Sequence, residues 1–287
     1  MGVEIMAKRF SVLDFKKMKV EGKKIVVLTA YDKFTARISE DGGADALLVG
    51  DSLGMTVLGY ENTLSVTMDD MVRHTRAVSS SSITPMVIAD MPFLSYQISV
   101  ETALKNAGRL ITEGGATAVK LEGGLEYCSQ VKAIVQAGIP VMGHLGFTPQ
   151  SIYKFGGSFA QGKTEESALK MIRDAFALED AGAFAVVLEC VPHELAEVIS
   201  KKLKIPTIGI GSGAECDGQV QVIYDVLGMN DEFQAKHFKR YIDGQKILTE
   251  AIGTHVEEVR KLEFPTTAHT FSITSDIVDL VKKESRG

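Results

Sequence analysis

Tryptophan is absent from these 287 residues, proline occurs only seven times and cysteine three times. Cys128, Cys190 and Cys216 lie far apart and form no CxxC pair. That spacing argues against a zinc site, the odd number argues against a disulfide framework, and both fit a reducing cytoplasm. Cys190 follows an expected strand, but no electropositive motif surrounds it, so an inert thiol is expected there rather than a nucleophile. No apolar run reaches the roughly 18 residues that span a bilayer. The opening MGVEIMAKRF has neither the apolar core of a signal peptide nor a Ser or Thr at the sixth position of a myristoylation signal. No membrane partner is expected. Excess positive charge is lacking as well: the net charge of -6 argues against general nucleic-acid binding. The glycine-rich GIGSGAECDG (209–218) is followed by no GKS or GKT, so it is a close-packed turn rather than a P-loop.

What is present is a repeating pattern. Hydrophobic residues at 45% and charged residues at 24% are ordinary for a globular chain. Apolar, β-rich runs recur at 24–32, 44–52, 84–90, 116–122, 139–146, 182–189, 205–213 and, more weakly, 222–229. Runs without polar alternation suit strands covered on both faces, as in a parallel sheet. Between them stand helix signals. Thr67 precedes Asp69 and Asp70, Thr164 precedes Glu165 and Glu166, and Pro192 fits the first turn of PHELAEVISKKL. GGADA, GGATA and AGAFA lead into strands two, four and six, each with a glycine suited to a left-handed helix cap. Eight such units predict a single-domain α/β protein, a (β/α)₈ TIM barrel, with a doubly wound open sheet as the alternative. Beyond about residue 230 the chain reads as helices and a polar end near FPTTAHTF that covers part of the fold.

Barrel active sites lie at the carboxyl ends of the strands. Those ends carry Tyr31/Asp32, Asp51/Ser52, Asp90, Lys120/Glu122, His144, Glu189 and Ser212. One polar residue where a strand meets a loop means little, but so many ionisable groups on one rim point to a site. Asp51 and Asp90 end neighbouring strands, where two bare carboxylates repel and a divalent cation such as Mg²⁺ removes the conflict. Capping a helix is the other role open to Asp51, yet SLGMTVLGYENTL lacks a convincing helical start. Lys120 and Glu122 are two apart and face the same way, as a rim ion pair or as a substrate clamp beside a metal-bound water. Glu189 ends AVVLE, surroundings apolar enough to suit a general base. His144 is equally compatible with a core role and with catalysis, whereas His74 sits within a helix and reads as structural.

GDSLGMTVLGYENTLSVTMDDMVRHTRAV, ADMPF, VKLEGG, GHLGFTPQS with FGG and QGK after it, LECVP, IPTIGIGSG and CDGQ occur in a fixed order. Their order and spacing resemble the ketopantoate hydroxymethyltransferases of pantothenate and coenzyme A biosynthesis, from about residue 8 to residue 272. The resemblance implies a Mg²⁺-dependent (β/α)₈ barrel and a homo-oligomer, typically a homodecamer of two five-membered rings. It implies transfer of a hydroxymethyl group from 5,10-methylenetetrahydrofolate to 3-methyl-2-oxobutanoate, giving 2-dehydropantoate and tetrahydrofolate. The family's metal aspartates fall on Asp51 and Asp90 and its metal-associated glutamate on Glu122. Its substrate-binding positions fall on Ser52, Asp90 and Lys120, with Asp51 and His144 beside the same substrate, and its general base falls on Glu189. The chemistry is consistent: a 2-oxo acid chelates Mg²⁺, which stabilises the enolate left when the C3 proton departs. The chain departs from the family pattern at Tyr60, often histidine, at Ser158–Phe159, often tyrosine and a basic residue, and at Ser212, often alanine. A lyase or mutase of the phosphoenolpyruvate mutase type is the competing enzyme class, weakened by the lack of a KKCGH-like loop. A barrel retained only to bind ligands leaves the base, lysine and carboxylates unexplained.

Overall fold

The protein is described by a computed structural model covering residues 8–156, 160–230 and 236–284. The apolar runs form Ile25–Thr29 (β1), Ala46–Val49 (β2), Met86–Asp90 (β3), Ala118–Glu122 (β4), Val141–Gly146 (β5), Ala185–Glu189 (β6), Thr207–Ile210 (β7) and Gly218–Gln221 (β8). All pair in parallel with their sequence neighbours, and β8 pairs with β1, so the sheet closes into an eight-stranded barrel. The open-sheet alternative is thereby excluded.

Alternate side chains of a strand share a face, and the inward rows explain the whole design. Ile25 and Val27, Ala46 and Leu48, Met86 and Ile88, Ala118, Met142, Ala185 and Val187, and Ile208 pack together inside the barrel, with Phe15 of the N-terminal helix Val12–Glu21 in the same cluster. Phe10 and Phe184 meet the Phe15 ring edge-on, at centroid distances of 5.6 and 5.3 Å. Continued toward the carboxyl ends, the same rows become Asp90, Lys120 and Glu122, His144, and Glu189. The interior is therefore apolar at one end and ionisable at the other. A second apolar layer lies between the outer faces of the strands and the helices.

The helix signals hold with one shift. Thr67 and Thr164 cap the helices Met68–Ser79 and Glu165–Asp180, each hydroxyl accepting from the backbone N–H three residues on. Pro192 sits one residue ahead of the helix His193–Lys202, at its cap position. Gly43, Gly115 and Gly182 take the expected positive φ of 87°, 75° and 99°. Two expectations are corrected. The eighth strand is Gly218–Gln221, not 222–229, where Ile223–Val226 forms one helical turn. The polar end near FPTTAHTF stays at the surface: Phe264 packs on His255 of the helix Gly244–Arg260 at a centroid distance of 5.3 Å, but from Gln245 to Glu284, the helix Ser275–Glu284 included, no described residue is buried.

Candidate active site

A cavity of about 1090 Å³ opens at the carboxyl end of the barrel. Asp51, Ser52, Asp90, Lys120, His144 and Glu189 all line it. Glu122 is 4% exposed and joins the same hydrogen-bonded cluster from beneath.

Strand register places these groups side by side: Asp90 is level with Lys120, and Glu122 with His144. Lys120 Nζ lies 2.9 Å from Asp90 Oδ1 and 3.3 Å from His144 Nδ1. Asp90 Oδ2 accepts the backbone N–H of Asp51 at 3.0 Å. Asp90 Oδ1 is buried with no directed hydrogen bond, because the Lys120 contact is close but poorly aligned. Gly50 leaves room for the Ser52 hydroxyl, since a Cβ there would come within 2.8 Å of Ser52 Oγ, while Asp90 Oδ2 at 3.6 Å would be in ordinary contact.

Burial is the main force on these charges. It pushes the Asp51 carboxyl well above the usual carboxylate range, and the neighbouring Asp90 and Glu122 carboxylates push further. Burial works against the Lys120 ammonium, but Asp90, Glu122 and Asp51 outweigh it and raise the lysine. His144 bridges two carboxylates, with Nδ1 3.6 Å from Glu122 Oε1 and Nε2 3.2 Å from Glu189 Oε2. Burial and Lys120 oppose its charge, yet these carboxylates prevail and push it up to about 9. The backbone carbonyl of Glu189 is pinned by the N–H of Phe147 at 2.8 Å, which ties the Glu189 turn to the loop after β5.

Two residues that sequence reasoning passed over organise this cluster. Gln150 donates its backbone N–H to Glu122 Oε2 at 3.0 Å, and its side-chain amide donates to Asp51 Oδ2 at 2.8 Å and to the Met91 carbonyl at 3.0 Å. Tyr96 is buried beneath it, its hydroxyl accepting the Glu122 N–H at 3.1 Å and lying 3.0 Å from Gln150 Oε1. The sequence signal for Gln150 is its place in the motif GHLGFTPQS, in the 3₁₀ turn Pro149–Ser151 shortly after β5.

The other strand-end residues separate into two groups. Tyr31 belongs with the site, its hydroxyl 2.9 Å from Ser52 Oγ. Asp32 caps the helix Lys33–Asp41 by accepting the Thr35 N–H at 2.8 Å. Ser212 holds the turn after β7, donating to the Leu188 carbonyl at 2.7 Å and accepting the Val191 N–H at 3.1 Å, and does not line the cavity. Asp51 caps no helix: a short helical turn, Leu53–Thr56, does follow, but its cap position is Ser52. His74 is structural, its Nδ1 2.6 Å from the Tyr31 carbonyl. Tyr60 lines the cavity, and Ser158–Phe159 lie outside the described residues. Burial raises all three thiols, Cys190 up to about 11, in keeping with unreactive cysteines.

Among the described residues no three His, Cys, Asp or Glu side chains form a ready-made metal cage, and no helix is long and apolar enough to cross a membrane. In overall shape the barrel resembles 2,3-dimethylmalate lyase, a member of the PEP mutase/isocitrate lyase superfamily (TM-score 0.57, 18% identity, covering 96% of this chain and 95% of that one). It is equally similar to phosphonopyruvate hydrolase solved with oxalate and Mg²⁺ (TM-score 0.57, 13% identity, 96% of each chain). At such identities the likeness is one of fold. Sequence relatives lie much nearer. The 3-methyl-2-oxobutanoate hydroxymethyltransferase of Acetivibrio thermocellus is 54% identical over 97% of this chain and 98% of its own length. That of Enterococcus faecalis is 53% identical over 94% and 98%. The family model for ketopantoate hydroxymethyltransferase matches residues 9–267, a span that contains every strand and every residue of the polar cluster. The chain belongs to the ketopantoate hydroxymethyltransferase family of enzymes.

Proposed function

We propose that the enzyme transfers a one-carbon unit from 5,10-methylenetetrahydrofolate to 3-methyl-2-oxobutanoate, with water, giving 2-dehydropantoate and tetrahydrofolate in cytoplasmic pantothenate and coenzyme A biosynthesis. The observation that carries this reading is the convergence of a buried lysine, an under-bonded carboxylate and Glu189 on one cavity floor, in a chain of this family.

Mg²⁺ fits the floor. It takes one or two carboxylates and leaves its other positions to water and substrate. Asp90 Oδ1 is buried without a directed hydrogen bond, and the burial and repulsion that raise Asp51 are what a divalent cation relieves. Asp51 and Asp90 would hold it, with Glu122 oriented by Gln150 toward a bound water. Bound there, the cation supplies Lewis-acid stabilisation of charge on the keto oxygen.

The rest falls to the chain's own residues. Lys120 and Ser52 hold the substrate carboxylate and fix C3. Glu189 removes the C3 proton, and His144, in contact with Glu189 and Glu122, orients that carboxylate. The enolate carbon then bonds to the folate-derived one-carbon unit, and water supplies the hydroxyl oxygen. The test is a turnover assay with 3-methyl-2-oxobutanoate, 5,10-methylenetetrahydrofolate and Mg²⁺. Product is expected, and it stops with EDTA and returns with excess Mg²⁺. No product overturns the reaction, and full turnover in EDTA overturns the metal.

The family also implies a homo-oligomer, a decamer. Exposed Ile247, Leu248, Ile252 and Val259 on the helix Gly244–Arg260 support assembly, since a monomer gains nothing from displaying them. Sedimentation is expected to give about ten times the 31.0 kDa chain mass; a monomer would refute it.

A further inference from the structure

A small branched oxo acid occupies only the floor of this cavity, whereas its 1090 Å³ reaches the upper end of the roughly 300–1,000 Å³ usual for drug-sized ligands. The outer wall on the β8 side bears one acid that the polar floor does not use. Asp225, in the helical turn Ile223–Val226, lines the cavity and is only 8% exposed. Among the described residues its carboxylate has a single hydrogen bond, from Asn230 Nδ2 at a long 3.5 Å. Burial raises Asp225, opposed by Asn230 and by a more distant pull from Arg240. Its neighbour Tyr224 stacks on Tyr31 at a centroid distance of 5.5 Å, and Tyr31 reaches Ser52, so this wall is mechanically continuous with the floor. Met55, Tyr60 and Phe238 line the same cavity and suit a flat heterocycle.

We infer that Asp225 is the recognition group for the pterin ring of the reduced folate, its carboxylate accepting from the ring N3–H and the exocyclic 2-amino group. This rests on the folate-dependent reaction proposed above. The aminopyrimidinone edge presents two parallel N–H donors, as a guanidinium does, and such a fork pairs bidentately with a carboxylate. A nearly buried acceptor with an incomplete set of donors selects a ligand that completes it.

The experiment is calorimetric binding of tetrahydrofolate and of its 2-desamino analogue to the wild type and to Asp225→Asn. Wild type is expected to prefer tetrahydrofolate by about 10–100-fold, the range for hydrogen bonds to a charged group. In D225N tetrahydrofolate binds about 10–100-fold more weakly and the preference collapses toward unity. If Asp225 only braces the turn through Asn230, D225N melts lower while the preference persists, and the inference fails. The wild-type comparison of the two ligands needs no variant, so equal affinities overturn the inference even if D225N does not fold. A wild type that binds tetrahydrofolate with this preference but makes no product overturns the reaction and leaves the pterin subsite standing.

Discussion

Replacing Glu189 with glutamine lowers turnover by about 10²–10⁴-fold, the usual contribution of a positioned general base, and abolishes exchange of the C3 proton of 3-methyl-2-oxobutanoate with D₂O. The amide keeps the shape of the carboxylate and an oxygen within reach of His144 Nε2, now 3.2 Å from Glu189 Oε2. Lys120, Ser52 and Asp90 are untouched, so calorimetric affinity for the 2-oxo acid stays within a few-fold. The separation of binding from exchange is the point of the variant, because general damage to the cavity moves both. Exchange at the wild-type rate would remove Glu189 from the role of base.

Lys120→Met has the largest expected effect on stability. The lysine and Asp90 side chains are 6% and 4% exposed. Removing one partner of a buried ion pair costs about 3–5 kcal/mol, because the other charge is left uncompensated. At about 2–4 °C per kcal/mol in a domain approaching this size, Tm falls by roughly 6–20 °C. The sign with pH follows from the raised lysine. Its contribution is complete below the unfolded lysine value near 10.4 and is lost only as pH rises through the still higher folded value. Wild type therefore keeps the whole benefit across neutral pH. In the variant, Asp51, which burial and its carboxylate neighbours already raise, loses the opposing pull of the ammonium, and its protonation relieves the site, so the deficit narrows as pH falls. The KM for the 2-oxo acid rises as well, because the clamp on its carboxylate is gone. Wild-type melting together with wild-type KM would deny Lys120 both roles.

Much of this was legible before any coordinates. Seven strands announce themselves by their apolar runs: β2 to β7 are buried along almost their whole length, and β1 is apolar through Leu28 although Val26 on its outer face is exposed. The eighth does not: GQVQ alternates buried and half-buried residues and is embedded in glycine-rich chain. VIYDV nearby has strand-like composition but winds into a turn. Asp90, Lys120, Glu122, His144 and Glu189 could be found because a parallel strand delivers its last inward residues to the rim, and Asp51 because it stands in the turn directly after β2. Gln150 and Tyr96 could not. They are neutral, they lie beyond the strand ends, Tyr96 in a loop and Gln150 in a 3₁₀ turn, and the bond from Gln150 to Asp51 spans 99 positions of sequence. Asp32 and Ser212 show the limit of the rim argument, since a polar residue at a strand end serves caps and turns as readily as chemistry.

The polar floor also has a consequence for cooperativity. Its ionisable groups come from the ends of β2, β3, β4, β5 and β6, and the residues that fix their orientation come from the loops between. No excised piece of chain shorter than Asp51 to Glu189 contains them all. β8 contributes none of them, yet it completes the ring through two register pairs with β7 and four with β1. The chemistry therefore belongs to the closed ring rather than to any segment of it. Local opening at the β7–β8 seam, which has the fewest register pairs in the wall, would break the ring at a place that carries none of the floor's ionisable groups.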